Sequence, residues 1–227
     1  VRPGESSSSP TTGAVLASTA TINQFKGLIV STPDDFGAEL RKFKRPAQIG
    51  SCAQLSDRPA QSVEHMTIQA LRSTAQRVQA LQVEAKDLEG EILGLVRQMS
   101  PELLELQGVG PITAAQVLVS WSHPGRFRSK AGFASFAGVS PIPASSGLTN
   151  RHRINRSGDR QLNRALHTVT LIRMRLDPAT KTYVARRISD GKTSRDAQHC
   201  LKRAVCRQLF KILERSDRTP NDLHRTA

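Results

Sequence analysis

Leu104-Glu105-Leu106-Gln107-Gly108-Val109-Gly110-Pro111-Ile112-Thr113-Ala114-Ala115 joins two short helical patterns through a turn that exposes backbone amides, and the rest of the chain is organised around it. Ser100 followed by Pro101 reads as an N-cap and a first helical residue, and the helix then runs through Leu103, Leu104 and Leu106 until Gly108 stops it. A second helix follows from about Ile112. Gly108 and Gly110 supply the dihedral freedom that a tight hairpin needs. The amides opening the second helix, that of Thr113 among them, have no intrahelical partner, so an anion fits there.

Apolar residues before the glycines and small ones after them, in a very basic chain, make this turn resemble the helix-hairpin-helix, a module that grips a nucleic-acid backbone without reading bases. On that reading Gly108, Val109, Gly110 and Thr113 contact DNA. The plain alternative is a helix-turn-helix corner with glycines at its bend.

The chain has 227 residues, enough for one large or two modest domains with a buried core. Aromatics are only 4% and hydrophobic residues 37%, which predicts a lean, helical core. No segment has the apolar length of a membrane span, and no apolar leader marks export. The net charge is +14, and residues 151–215 hold 17 Lys and Arg against Asp159, Asp177, Asp190, Asp196 and Glu214, so +12 of that excess lies in about a third of the chain. Basic charge so concentrated is the footprint of a polyanion binder. The scarcity of aromatics argues against single-strand binding by base stacking. Cys52, Cys200 and Cys206 fit neither a zinc spacing nor an even disulfide framework, which predicts reduced cytoplasmic thiols, with Cys200 and Cys206 packed on a helix face; a DNA-acting protein of this kind is expected at the bacterial nucleoid.

Residues 1–13, with serines 6–9 between Pro3 and Pro10, read as a disordered leader, and the opening Val1 suggests a fragment or an unusual start. Residues 14–59 read as helical: Val15, Leu16, Ile22, Phe25, Leu28 and Ile29 recur at helical spacing. A short helix follows, with Thr32 as N-cap, Pro33 in first position, and Asp34 and Asp35 at the positive end of its dipole. Pro46, Gly50 and Pro59 then mark residues 44–59 as a connection. Residues 60–99 carry the clearest period, with Leu71, Val78, Ala85 and Ile92 in one heptad register and Thr74, Leu81, Leu88 and Leu95 in the other. A helix from about Ala60 to Met99 would be roughly 60 Å long. The seam predicts a coiled coil that makes a homo-oligomer, packing against the Ala14–Phe43 helices being the alternative.

Residues 100–215 read as a compact basic domain and 216–227 as a frayed tail. The helix after the hairpin ends near His123-Pro124-Gly125, and Ser129 caps a short one over Lys130–Ala137, with Phe133 and Phe136 on one face. From Gly138 to Gly158 no period is sustained, and a loop of that length is a candidate for chemistry. Asp159 or Ser157 starts the next helix, Arg160–Leu176, with Leu162, Ala165, Leu166, Val169 and Ile172 facing inward. Asp177-Pro178 breaks it, and helices at about Ala179–Ser189 and Ser194–Glu214 complete the domain. Nothing reads as a sheet. The predicted fold is all-α: a long coiled-coil helix followed by a compact basic helical domain with a helix-hairpin-helix motif.

Within the loop, Pro141-Ile142-Pro143-Ala144-Ser145-Ser146-Gly147 leads into Arg151-His152-Arg153-Ile154-Asn155-Arg156-Ser157-Gly158-Asp159-Arg160-Gln161-Leu162. An exposed serine beside arginines is what phosphoryl transfer by a hydroxyl nucleophile requires, although by spacing alone a Ser-Ser-Gly turn is only a turn. The order of motifs adds more. Leu-x-Gly-Val-Gly-Pro-x-Thr-Ala, then Arg126-Phe127-Arg128-Ser129, Ala137-Gly138-Val139-Ser140-Pro141, Ser146-Gly147 and Arg156-Ser157-Gly158-Asp159-Arg160-Gln161-Leu162 resemble the C-terminal domain of transposases of the insertion-sequence 110 family. The resemblance is specific over about Leu104–Leu176 and looser to Arg215. Upstream, the stretches Ile22–Leu28 and Thr32–Phe36 look like the segment following that family's RNase H-like domain.

The resemblance implies a serine nucleophile that becomes covalently joined to a DNA end, Ser146 being the match and Ser145 the near alternative. It implies Mg²⁺ bound by acidic residues of the RNase H-like domain, with no metal held by this chain, and a structured guide RNA as partner. No strand-rich acidic stretch precedes Ala14, so the chain reads as the C-terminal part of such an enzyme, truncated and inactive alone. Charge and resemblance together place DNA at Arg151, Arg153, Arg156, Arg160 and Arg164, with His152 a possible proton-transfer group. Two other functions compete with a recombinase subunit: a non-catalytic helix-hairpin-helix protein that binds DNA backbone, and an assembly module built on the coiled coil.

Overall fold

A computed structural model describes residues 10–32, 34–56, 63–143, 152–153, 155 and 157–216. Among them are ten helices and one ladder of two-residue strands, an all-α fold that divides into two compact units, one through Glu91 and one from Ile92 onward.

The first unit is built from α1 (Pro10–Ser31), α2 (Asp34–Arg41), α3 (Arg45–Ala53) and the N-terminal part of α4 (Val63–Met99). Its core joins Phe25 and Ile29 of α1, Leu40 of α2, Ile49 and Cys52 of α3, and Leu71, Ala75 and Val78 of α4. Side chains tie the helices' ends together: Arg72 donates to Leu55 O at 3.1 Å and Gln76 to Ala53 O at 3.2 Å.

Three expectations change here. Residues 10–13 belong to α1 and not to a structureless leader, because a proline at a first helical turn gives up no intrahelical bond. Thr32 donates its hydroxyl back to Leu28 O at 2.7 Å, closing α1 instead of opening α2. The supposed connection contains α3, since Pro46 falls in the first turn and Ile49 and Cys52, three apart, bury one face.

α4 spans the stretch carrying the heptads, but its seam is used unevenly. Leu71, Thr74 and Val78 are buried, the first and last of them in the first unit's core. Leu81, Ala85 and Leu88 are half-buried, and Leu95 is 59% exposed. The alternative packing within the chain therefore accounts for the seam's N-terminal end.

The second unit adds α5 (Glu102–Glu105), α6 (Pro111–Trp121), α7 (Lys130–Phe136), strands β1 (Ile142–Pro143) and β2 (His152–Arg153), then α8 (Arg160–Leu176), α9 (Pro178–Ser189) and α10 (Ser194–Ser216). α8 is the central helix, packed against α6, α9 and α10. Of its predicted inward face, Leu162, Ala165, Leu166 and Val169 are buried and Ile172 half-buried. The facing core comes from Val117, Leu118 and Trp121 of α6, Phe133 of α7, and Leu201, Val205, Cys206, Leu209 and Leu213 of α10. Phe133 is fully buried, edge-on to Phe127 at 5.1 Å and stacked on Phe210 at 5.4 Å.

Local chemistry fixes the helix ends. Ser129 Oγ accepts from Gly132 N–H, and Asp159, not Ser157, caps α8 by accepting from Leu162 N–H at 2.8 Å. Asp177 caps α9 with both carboxylate oxygens, and these bonds, that from the Thr180 hydroxyl first, hold its carboxyl below the usual range. α5 is a single turn, shorter than the leucine run suggests: Ser100 N–H still completes α4's ladder on Val96 O, and Leu106, already extended at ψ 125°, ends α5 before Gly108.

Candidate nucleic-acid interface

The 138–158 stretch is anchored where it leaves α7 and where it enters α8. Ile142 pairs with Arg153 and Pro143 with His152, an antiparallel ladder in a stretch that the sequence left without a sheet. Below it, Gly138 takes φ 67° and lies directly against Gly158. A Cβ at Gly158 would fall inside the van der Waals envelope of the Gly138 backbone and 2.8 Å from Phe136 O, so only glycine fits. Asp159 N–H donates to that same Phe136 O at 2.7 Å. Asn155 donates to Ser135 O at 3.2 Å while its Oδ1 accepts from the amide and the hydroxyl of Ser157. The described residues from Asn155 to Arg160 are thus a buckle: they hold the start of α8 against the end of α7 and leave Arg160 exposed.

Two adjoining cavities, about 540 and 520 Å³, open at this buckle and share Gly138, Asn155 and His199. The first is lined by Arg160, Asn163, Arg164 and His167 of α8 and by Gln198, His199 and Lys202 of α10. The second adds Arg153, Lys192 and Arg203, with Asp196 the one acidic lining residue among those described. Asp196 also accepts from the Thr193 hydroxyl, the bond that most lowers its pKa. Burial lowers the pKa of His167 and of His199, and the neighbouring Lys202 ammonium lowers both further, so both imidazoles are neutral near pH 7. Burial alone lowers the Lys202 pKa. The result is a concave, positively charged surface on which a polyanion can rest.

The hairpin turn lies at the other end of α8. Gly108 takes φ 84°, and a Cβ there would sit 3.2 Å from Val169 O, whereas Gly110 is extended at φ −98° with open space around it, so only Gly108 needs its missing side chain. Val109 is buried in the core and its amide donates to Leu106 O at 3.0 Å, which commits both its side chain and its N–H to the fold. Gly110 caps α6 without a side-chain bond, and the amides of Ile112 and Thr113 have no partner inside that helix. Arg173 Nε donates to Gln107 O at 2.7 Å and Nη1 to Gln208 at 2.8 Å, pinning the turn between α8 and α10. Turn and cleft are separated by about 14 Å of α8, counting 1.5 Å per residue.

Of the predicted site residues, Arg153, Arg160 and Arg164 are exposed and gathered around the cleft. Ser145, Ser146, Arg151 and Arg156 lie outside the described residues, as does the side chain of His152. Sequence reasoning missed Asn163, His167, His199 and Lys202. The one available signal was position: Lys202 borders the buried stripe Leu201, Val205, Leu209, four residues before the buried Cys206. Cys206 itself is a core thiol, pushed up to about 12 by burial, while Cys200 is half-buried on the cleft wall.

Residues 100–185 match the family model described as Transposase IS116/IS110/IS902 family. Over this segment the chain is similar to that transposase family. The Insertion element IS110 uncharacterized 43.6 kDa protein of Streptomyces coelicolor is 35% identical over 144 residues, covering 62% of this chain and 36% of that protein. The Insertion element IS900 uncharacterized 42 kDa protein of Mycobacterium paratuberculosis is 29% identical over 199 residues, 80% of this chain and 50% of that protein. The chain thus spans between about a third and a half of the length of these curated relatives. The transposase-family segment holds the hairpin turn, the buckle and the arginines of α8, whereas His199 and Lys202 lie beyond it on α10.

Proposed function

We propose that this chain is a DNA-binding part of an insertion-element transposase, in which the basic unit holds duplex backbone and the 144–151 loop presents the nucleophile. The observation that carries the reading is the cationic cleft beside Gly138 and Asn155, within and beside the segment that matches the transposase family. Arg153, Arg160 and Arg164 neutralise phosphates there, and the open start of α6 with Gly110 and Thr113 gives a second backbone contact in the manner of a helix-hairpin-helix. Such contacts position the protein and leave target choice to another agent, for which a structured RNA is the proposed partner. The half-buried part of the α4 seam serves as the contact for a second copy. The protein works on cytoplasmic, nucleoid DNA.

Chemically, the Ser146 hydroxyl attacks phosphorus: its O–H proton is lost, a serine–phosphorus ester forms, and the bond to the departing sugar oxygen breaks as that oxygen takes up a proton. Attack by a second sugar hydroxyl reverses the exchange. A serine needs help to deprotonate. Mg²⁺ does not fit the described residues, which bring no group of three His, Cys, Asp or Glu together; the cleft is lined chiefly by cations and neutral groups. No described helix is long and apolar enough to cross a membrane.

The test combines binding and trapping. Six neutralised phosphates would give a slope of log affinity against log salt near −5, and a slope near zero would sink the DNA-binding reading. With Mg²⁺, RNA and an RNase H-like domain of this family supplied in trans, a protein–DNA adduct should survive denaturation. Ser146→Ala should abolish it and spare the salt-dependent binding. Loss with Ser145→Ala instead moves the nucleophile by one residue. An adduct untouched by either change refutes the serine assignment, and the non-catalytic backbone binder then stands.

A further inference from the structure

Lys202 is 7% exposed, yet its Nζ donates at 2.7 Å to a neutral group, the Asn163 Oδ1. The amide's other end fixes that orientation, because Asn163 Nδ2 donates to Ala137 O at 2.7 Å and so leaves Oδ1 facing the lysine. An ammonium carries three donors and is costly to bury without a counter-charge. The described residues give it none. Asp159 is occupied capping α8, and Asp196 is held by Thr193. Lys202 lines a cavity of about 540 Å³ whose other ionisable lining residues, among the described ones, are Arg160, Arg164, His167 and His199, two cations and two imidazoles. Each neutral imidazole can still donate one N–H to an anion's oxygen.

We propose that this cavity is a phosphodiester-binding site, in which Lys202, aimed by Asn163, holds one backbone phosphate of bound DNA between Arg160 and Arg164. The inference rests on the DNA-binding reading above and deepens it. The buried ammonium supplies a fixed point charge, and the two exposed guanidiniums supply donors that adapt to the strand. Asn163 acts through the lysine, as a positioning residue. Because Asn163 also ties Lys202 to the end of α7, the phosphate it holds lies beside the Gly138–Gly158 contact.

The experiment measures affinity of the whole chain for duplex DNA by fluorescence anisotropy from low to moderate salt, with melting followed by circular dichroism. Lys202→Met keeps most of the apolar stem and removes the terminal ammonium, so melting should stay near wild type or rise, since an apolar group replaces a buried charge. Its salt slope should shrink by about 0.9, one phosphate contact, with a roughly tenfold or greater loss of affinity at low salt. The exposed pair Arg160→Gln and Arg164→Gln, which has no core role, should lower the slope by about 1.8. Lys86→Met, which removes an exposed charge from α4, should change neither quantity. A wild-type slope in Lys202→Met or in the arginine pair overturns the proposal, as does an equal fall with Lys86→Met, which would mark a response to net charge alone. If Lys202→Met unfolds, the arginine pair decides. A wild-type chain with no salt slope refutes the DNA-binding reading itself.

Discussion

Replacing Gly158 with alanine puts a methyl group where the Gly138 backbone already lies, 2.8 Å from Phe136 O. Ordinary carbon–oxygen contact needs more than 3 Å, so one of the two backbone segments must retreat, and neither ends in a flexible side chain that could give way. Overpacking of this kind costs about 1–3 kcal/mol. Retreat also stretches the 2.7 Å bond from Asp159 N–H to Phe136 O, worth about 1 kcal/mol. Together they destabilise the second unit by about 3 kcal/mol, a fall of about 10 °C in its melting temperature. Gly138→Ala should cost less, about 1–2 kcal/mol, because its φ of 67° disfavours a side chain and its nearest neighbours stand at 3.2–3.3 Å. Gly110→Ala meets open space at an ordinary φ and should cost about 1 kcal/mol at most. Thermal denaturation followed by circular dichroism reads the order Gly158, Gly138, Gly110. If Gly158→Ala melts within about 2 °C of wild type, or no lower than Gly110→Ala, the close approach of the two glycines does not hold the loop and the buckle argument fails.

Acidification should weaken the second unit through its histidines: the folded pKa values of His167 and His199 lie below the unfolded value, so between the two the unfolded chain binds more protons. That stability is fully present above about pH 6.5 and lost as pH falls through the folded values, so the melting temperature should drop from pH 7 to about pH 5, and His199→Gln should flatten the profile; an equal slope in the variant removes His199 from the account. Along α4, Leu81→Lys with Leu88→Lys places two cations in the half-buried seam and should lower the mass found by sedimentation if a second copy covers it. An unchanged mass with lowered stability would assign those leucines to packing within one chain.

Local patterns were legible because they depend on short-range chemistry. The 3.6-residue period of Leu162, Ala165, Leu166 and Val169, the caps at Ser129 and the break at Asp177-Pro178 follow from neighbours a few residues apart, and the structure places α7 and α8 accordingly. α3 was missed because Pro46 and Gly50 weigh against a helix in isolation, and Ile49 and Cys52 find their burial only in the core shared with α1, α2 and α4. The heptads of α4 were visible, but sequence periodicity marks an apolar face without naming what covers it. For Leu71 and Val78 the cover is the chain's own helices.

By itself, then, the sequence determined an all-α chain, its concentration of positive charge between residues 151 and 215, and the arginines beside the serine loop, since composition and spacing are properties of the strand of residues. Tertiary structure alone decided which of those cations share a cavity. Lys202 lies 39 residues from Asn163, and the Gly138–Gly158 contact joins two helices' ends across the loop. Burial made the difference: an α10 lysine that would be one more solvated charge became a desolvated ammonium aimed by an amide, and the pKa values of two histidines beside it were lowered, effects that exist only once α7, α8 and α10 have closed around them.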